Sequence, residues 1–187
     1  MDSKDYFDEV AGRWNQMRET LFSDNVRTVA VRAASVRAGE VAADIGAGTG
    51  FITEELLRHG LMVIAIDESA GMIAEMKKRF GESGDVEFGM GESEALPIAR
   101  QTVDHVFANM YLHHVESPPA AIKEMVRILK PGGKLIITDA DEHTYEFLRT
   151  EQHDRWLGFR RDDIRSWFQL AGFTLRMGIQ ARLINSR

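Results

Sequence analysis

The 187-residue sequence has no cysteine, only four prolines, three tryptophans and three tyrosines, and no excess of positive charge. Without cysteine there is neither a disulfide framework nor a thiolate metal site, and redox chemistry leaves no clue to compartment. A net charge of −6 with no dominant basic stripe argues against a nucleic-acid surface. The cluster Lys77-Lys78-Arg79 fits instead the solvated end of a helix, where the dipole favours cations. No apolar run is long enough to span a bilayer, and Met1-Asp2-Ser3-Lys4-Asp5 lacks the apolar centre of a signal peptide. The expectation is a cytoplasmic protein without membrane contact. What is present, 44% hydrophobic and 28% charged residues, is enough to bury one core, so residues 1–187 are read as a single domain. No internal repeat or low-complexity segment interrupts it.

The chain is organised around Val41-Ala42-Ala43-Asp44-Ile45-Gly46-Ala47-Gly48-Thr49-Gly50-Phe51-Ile52-Thr53. Val41 to Ile45 is short and apolar, as a strand covered on both faces is. Three glycines on alternate positions let the backbone turn and approach a ligand with no Cβ in the way. A helix opening at Thr53 points free N–H groups at the loop, which suits an anionic group. A dinucleotide fingerprint needs a third glycine where Phe51 or Thr53 stands. The pattern here is Asp44-x-Gly46-x-Gly48-x-Gly50.

Alternating strands and helices follow, which implies an α/β domain with a parallel sheet covered on both faces. The second strand, Leu61 to Asp67, ends on an acid about twenty residues past the glycine turn, where a carboxylate can accept from both hydroxyls of a ribose. The helix from Ser69 to Phe80 carries Met72, a candidate either for packing on a base or for the core. Asp85 to Phe88 is a third strand, Thr102 to Asn109 a fourth, and Leu135 to Asp139 a fifth after the turn Lys130-Pro131-Gly132-Gly133. Met110 to Val115 lies beyond the fourth strand, on the side where open α/β sheets bind ligands. Adjacent His113 and His114 share no helix face, and nothing at i+3 or i+4 completes a metal pair, so no metal is expected.

Residues 5 to 36 read as two helices, with Tyr6, Phe7, Val10, Trp14 and Met17 at helical spacing. They are either a packing layer or a lid (residues 1–36) to which Tyr6, Trp14 and Arg18 contribute. Residues 140–160 are polar with interleaved aromatics. A helix from Thr144 would turn Leu148 and Trp156 inward; a metal set from Asp141, His143 and His153 is the minor alternative. Arg161 to Leu170 is a helix stopped by Gly172, and Phe173 to Ile179 a sixth strand.

Four of these stretches together resemble the class I S-adenosylmethionine-dependent methyltransferases: Asp44 to Gly50, Asp67, Gly91-Glu92 before Leu96-Pro97, and the Lys130 to Gly133 turn. The resemblance covers roughly residues 40 to 175, and His153 to Phe159 resembles methyltransferase segments behind arsenical-repressor-like regulators. It implies a Rossmann-like, mostly parallel sheet whose C-terminal antiparallel strand pair is incomplete, because only Gln180 to Arg187 remains. The exposed edge would then be a route to a homo-oligomer. It also implies S-adenosyl-L-methionine as methyl donor and a small-molecule acceptor. Asp44, Gly46, Ala47, Gly48 and Gly50 would meet the methionyl part, Asp67 and Glu68 the ribose, and Met72, Gly91, Glu92 and Ser93 the adenine. Asn109 would border the amine, and His114 and Tyr111 are the catalytic candidates, placed to line the substrate pocket or take a proton, with His114 the general base if the acceptor arrives protonated. An Asn-Pro-Pro-Tyr motif for bases and amides is absent, since Asn109-Met110-Tyr111-Leu112 stands there. The missing cysteine argues against a thiol-dependent arsenite methyltransferase. Two other classes stay in view: a nicotinamide oxidoreductase on a similar sheet, and a non-catalytic S-adenosylmethionine-binding or sensor module.

Overall fold

The computed structural model describes residues 3 to 173. Five strands form one sheet: β1 (Val41–Ile45), β2 (Met62–Asp67), β3 (Val86–Met90), β4 (Val103–Asn109) and β5 (Leu129–Thr138). Their order is β3-β2-β1-β4-β5, and every neighbouring pair is parallel. The order reverses between β1 and β4, so a crevice opens beyond their C-terminal ends. The helices are α1 (Ser3–Val10), α2 (Trp14–Arg18), α3 (Asn25–Ala34), α4 (Phe51–Arg58), α5 (Ala70–Phe80), α6 (Pro118–Ile128), α7 (Phe147–Glu151) and α8 (Arg161–Leu170). None is long and apolar enough to cross a membrane.

Strand residues alternate between two cores, as the two-residue pleat requires. Ala43, Ile45, Ile66, Val106 and Ala108 pack on one face with Ala121, Ile122 and Met125 of α6 and Phe168 of α8. Ala42, Val63, Ala65 and Phe107 pack on the other with Val31 of α3, Leu56 of α4 and Ile73 and Met76 of α5. The inner strands are apolar on both faces for this reason.

Several boundaries differ from expectation. β3 runs on through Gly89 and Met90, because both stay in register with Ile66 and Asp67. The Lys130 to Gly133 turn is a bulge inside β5: Val103 pairs with Leu129, but His105 pairs with Lys134. Lys130 folds back onto Asp104, at 3.0 and 2.9 Å to its two oxygens. After β5 the helix is only α7. Leu148 is buried, but Trp156 is 39% exposed, its indole N–H donating to the Val115 carbonyl at 2.9 Å. The expected sixth strand beyond Phe173, and with it the C-terminal edge, lies outside the described residues.

The N-terminal helices lie across the crevice. The Asp8 carboxylate accepts from the Ser69 hydroxyl (2.6 Å) and the Gly71 N–H (2.9 Å), at the start of α5. That is a helix cap supplied from another element. On the far side the Tyr6 hydroxyl donates to Gln152 at 3.0 Å and its ring lies 4.9 Å from that of His153.

Candidate functional site

The crevice holds a cleft of about 610 Å³, part of it open to solvent, between the ends of β1, β2 and β4 and the helices above. Its floor is built from the glycine turn outward. Asp44, 1% exposed, accepts from the Thr53 N–H (2.9 Å) and hydroxyl (2.7 Å), so a strand carboxylate caps α4 and fixes the loop between them. Asp67 accepts from the Gly48 N–H (2.8 Å) and the Ser69 N–H (2.9 Å), one to each oxygen. The Glu68 N–H bonds to this carboxylate as well, which leaves it part of its accepting capacity for a ligand. Burial pushes Asp44 up to about 7 and Asp67 up to about 6, more than the hydrogen bonds pull them down.

Gly46 sits at φ +65°, and a Cβ there would lie 2.1 Å from the Tyr111 ring. That ring lies flush on the turn, and its hydroxyl is hydrogen-bonded to Ser93. Burial and then Glu68 push the phenol well above its ordinary range. Tyr111 therefore stays neutral and cannot serve as a proton acceptor near neutral pH.

The roof is aromatic and cationic. Phe7 meets Trp14 edge-on at 5.2 Å and His114 edge-on at 5.0 Å. Arg18 is 6% exposed, lies 4.2 Å above the Phe51 ring and pairs with Asp24 at 3.0 Å. Its Nε has no partner. An unsatisfied buried guanidinium N–H on a cleft wall is costly unless a ligand accepts from it.

A second cleft of about 480 Å³ adjoins the first and shares Trp14, Phe22, Met110 and His114 with it. Leu21 and Leu148 give it apolar walls, and His113, His143, Gln152 and Asp154 a polar end. His113 Nδ1 lies 2.6 Å from Asp139. Burial opposes the charged form of His113, but Asp139 raises its pKa on balance. Burial, and then His113, hold His114 well below its ordinary value, so its ring is neutral.

Of the residues singled out in the sequence, Asp44, Gly46, Ala47, Gly48, Asp67, Glu68, Met72, Asn109, Tyr111 and His114 line the larger cleft together. Gly50 stands just behind them as the left-handed residue that opens α4. Gly91, Glu92 and Ser93 are not in its lining: Glu92 is exposed and Ser93 is buried behind Tyr111. Phe22, Phe51, Ile52 and Met110 line the cleft without having been singled out. Their apolar character reads equally as core, so only the fold separates the two roles. The three residues of the minor metal alternative are engaged separately, Asp141 with Arg161, His143 in the second cleft and His153 against Tyr6.

A parallel sheet with a glycine turn after β1, a buried acid ending β2 and a cleft at the point of strand reversal defines an α/β domain built to hold a nucleoside-like ligand. The family model described as "Methyltransferase domain" matches residues 43–137, half of the chain, and the protein belongs to that family. It is 34% identical over 147 residues to a demethylmenaquinone methyltransferase of Renibacterium salmoninarum. That match covers 77% of this chain and 61% of the relative, so the chain spans about three fifths of that relative's length. Its fold is similar to a chain of the Haloferax volcanii complex of a methyltransferase with its Trm112 activator: TM-score 0.79, 21% identity, 91% of this chain and 77% of that one. It is also similar to Haemonchus contortus phosphoethanolamine N-methyltransferase 2, solved with S-adenosylhomocysteine: TM-score 0.70, 20% identity, 79% of this chain and 36% of that one.

Proposed function

We propose that the protein binds S-adenosyl-L-methionine in the larger cleft and directs its methyl group to a small-molecule acceptor in the adjoining one. The observation that carries this reading is Asp67, a buried carboxylate tied to the glycine turn through Gly48 and to α5 through Ser69, in one cleft with the unpartnered Nε of Arg18. A group with a diol at one end and a carboxylate at the other would satisfy both. The donor supplies an electrophilic sulfonium methyl, so the chain has to align, desolvate and orient rather than activate.

Asp67 would accept from the ribose hydroxyls with Glu68 beside it, and Arg18 would donate to the methionyl carboxylate. Asp44 holds the Gly46-Ala47-Gly48 backbone in place and Asn109 borders the amine. Met72 packs at the nucleoside end. Gly91, Glu92 and Ser93 are the adenine candidates of this reading, outside the cleft lining and joined to it through the bond between Ser93 and Tyr111. Phe7 and Trp14 close the cleft against water, which makes the N-terminal helices a lid over it. His114 and Tyr111 are the groups nearest the reacting centre in this reading; burial keeps both uncharged, which makes His114 a weak base with its Nδ1 open and Tyr111 a shaping residue. The walls of the second cleft, Leu21, Phe22 and Leu148, favour a planar, largely apolar acceptor. The residues 140–160 supply its polar end.

Calorimetry with S-adenosylmethionine, S-adenosylhomocysteine and NADH on one preparation tests the donor. Micromolar binding of the first two, lost in Asp67→Ala, is expected; binding of NADH alone would overturn the reading. Donor binding with no transfer of labelled methyl to any of a panel of hydroxyaromatic and quinol acceptors would favour a non-catalytic S-adenosylmethionine-binding module.

A further inference from the structure

The polar end of the second cleft contains a set of groups that methyl transfer by itself does not use. His113 and His114 are consecutive residues of a 3-10 turn (Leu112–His114), and both are buried. Asp154 arrives from the segment after α7, far away in sequence, with 7% of its side chain exposed. One ligand atom from each of the three lies within 4.8 Å of the others. His113 Nε2 and Asp154 Oδ1 are 3.7 Å apart, too long for a hydrogen bond. Two ligands of one tetrahedral ion with bonds of about 2.1 Å sit roughly 3.4 Å apart, so the gap has room for a shared cation as well as for a direct ion pair.

The two imidazoles are also set for ligation by their outer contacts. His113 Nδ1 is held by Asp139 at 2.6 Å, which leaves Nε2 facing Asp154. Asp139 is itself oriented by the Ala140 N–H at 2.8 Å. The His114 ring is hydrogen-bonded to the backbone of His153, while its Nδ1 is buried with no partner at all. A carboxylate or carbonyl behind each imidazole, with His114 Nδ1 unpartnered and His113 Nε2 turned to Asp154, is the outer shell that metal-ligating histidines use.

We propose that His113 Nε2, His114 Nδ1 and Asp154 bind one divalent transition-metal ion of the zinc type at the inner end of the acceptor cleft. Nitrogen and oxygen donors in this ratio suit zinc or cobalt(II), and three protein ligands leave one tetrahedral position open. That position faces the acceptor cleft, which is lined by all three residues. The acceptor class would then be one with a ligating hydroxyl or carbonyl oxygen beside the methyl-accepting atom. This last step rests on the methyltransferase reading; the metal site does not.

The test uses untagged protein stripped with chelator and titrated with Co²⁺, followed by its visible d–d absorption and by competition with Zn²⁺. One saturable, tetrahedral-type site per chain is expected. Asp154→Asn and His113→Gln should weaken it at least roughly tenfold, and Asp139→Asn by about 10–100-fold through the outer shell. The exposed Asp141→Asn should leave it unchanged. No saturable site, or an unaltered one in folded Asp154→Asn, overturns the proposal. Should the variants not fold, X-ray absorption on the zinc-loaded wild-type protein decides: two imidazole nitrogens in the shell support the site, and one or none overturns it. Donor calorimetry on the same preparation keeps the two readings apart. A metal site without donor binding sinks only the methyltransferase reading, and donor binding without a metal sinks only this one.

Discussion

Asp44 and Asp67 lie in one cleft with carboxyls raised to about 7 and about 6 from an ordinary value of 3.8. A raised acid means that folding disfavours the ionised form, so stability is greatest below the unfolded value and falls as pH rises through the folded one. Thermal melts of the ligand-free protein should therefore drop between pH ~4 and ~7, and Asp44→Asn should flatten that slope. Donor binding has the opposite sign, because hydroxyls donate best to an ionised Asp67. Calorimetry should show affinity rising through pH ~6, with a proton released on binding; affinity independent of pH would remove Asp67 from the ribose role. Arg18 provides a separate handle. Arg18→Met keeps the length of the side chain and loses the charge, and should cost S-adenosylhomocysteine about 1.5–3 kcal/mol, roughly 10- to 100-fold in affinity. 5′-Methylthioadenosine, which lacks the amino-acid carboxylate, should be nearly indifferent; equal losses for both ligands would assign Arg18 to folding alone.

The helices α1 and α2 depend on one carboxylate to stay over the cleft. The Ser69 hydroxyl and then the Gly71 N–H lower Asp8 to about 2. A lowered acid contributes stability above its unfolded value and loses it only as pH falls through about 2, so this latch is fully engaged at neutral pH. Asp8→Ala should leave the sheet intact but speed tryptic cleavage at Arg13, with weaker donor binding; the second contact, from Tyr6 to Gln152, should keep the fragment attached. An unchanged cleavage rate would mean that Phe7, Trp14 and the other ring contacts suffice without the cap. The β5 bulge illustrates why a turn motif and a strand can occupy the same residues. Gly132 at φ +82° lets the chain leave and rejoin the ladder, and Lys130 returns to Asp104 across the gap.

The molecule as a whole is a sheet between two cores, with both clefts at the C-terminal end of the strands. Stability and ligand binding should separate accordingly. Leu56 is fully buried in the core shared by α3, α4 and α5, away from either cleft lining. Leu56→Ala should cost about 2–5 kcal/mol and lower Tm by roughly 2–4 °C per kcal/mol, while donor affinity below the melt stays the same. A proportionate loss of affinity would show that the α4 cap and the core are one cooperative unit.

The alternation of strands and helices, the glycine turn and the acid at the end of β2 are all legible before any folding is considered. These are local: a backbone needing no Cβ, a two-residue pleat and an apolar run are each legible within a dozen residues. Ten of the residues named from such patterns and from the family resemblance share one cleft, because the turn and the strand ends are built at the same edge of the sheet. The tertiary structure alone decided what comes from a distance. Arg18 and Trp14, readable in the sequence only as lid or packing residues, gain their places from Phe51 and the glycine loop, and Asp154 joins His113 and His114 only because the chain after β5 folds back across that turn. Two adjacent histidines offer no metal-ligand spacing along the chain, and only the fold shows that Glu92 is exposed and outside the cleft lining. Distances between elements depend on packing, and packing is written in no single stretch of sequence.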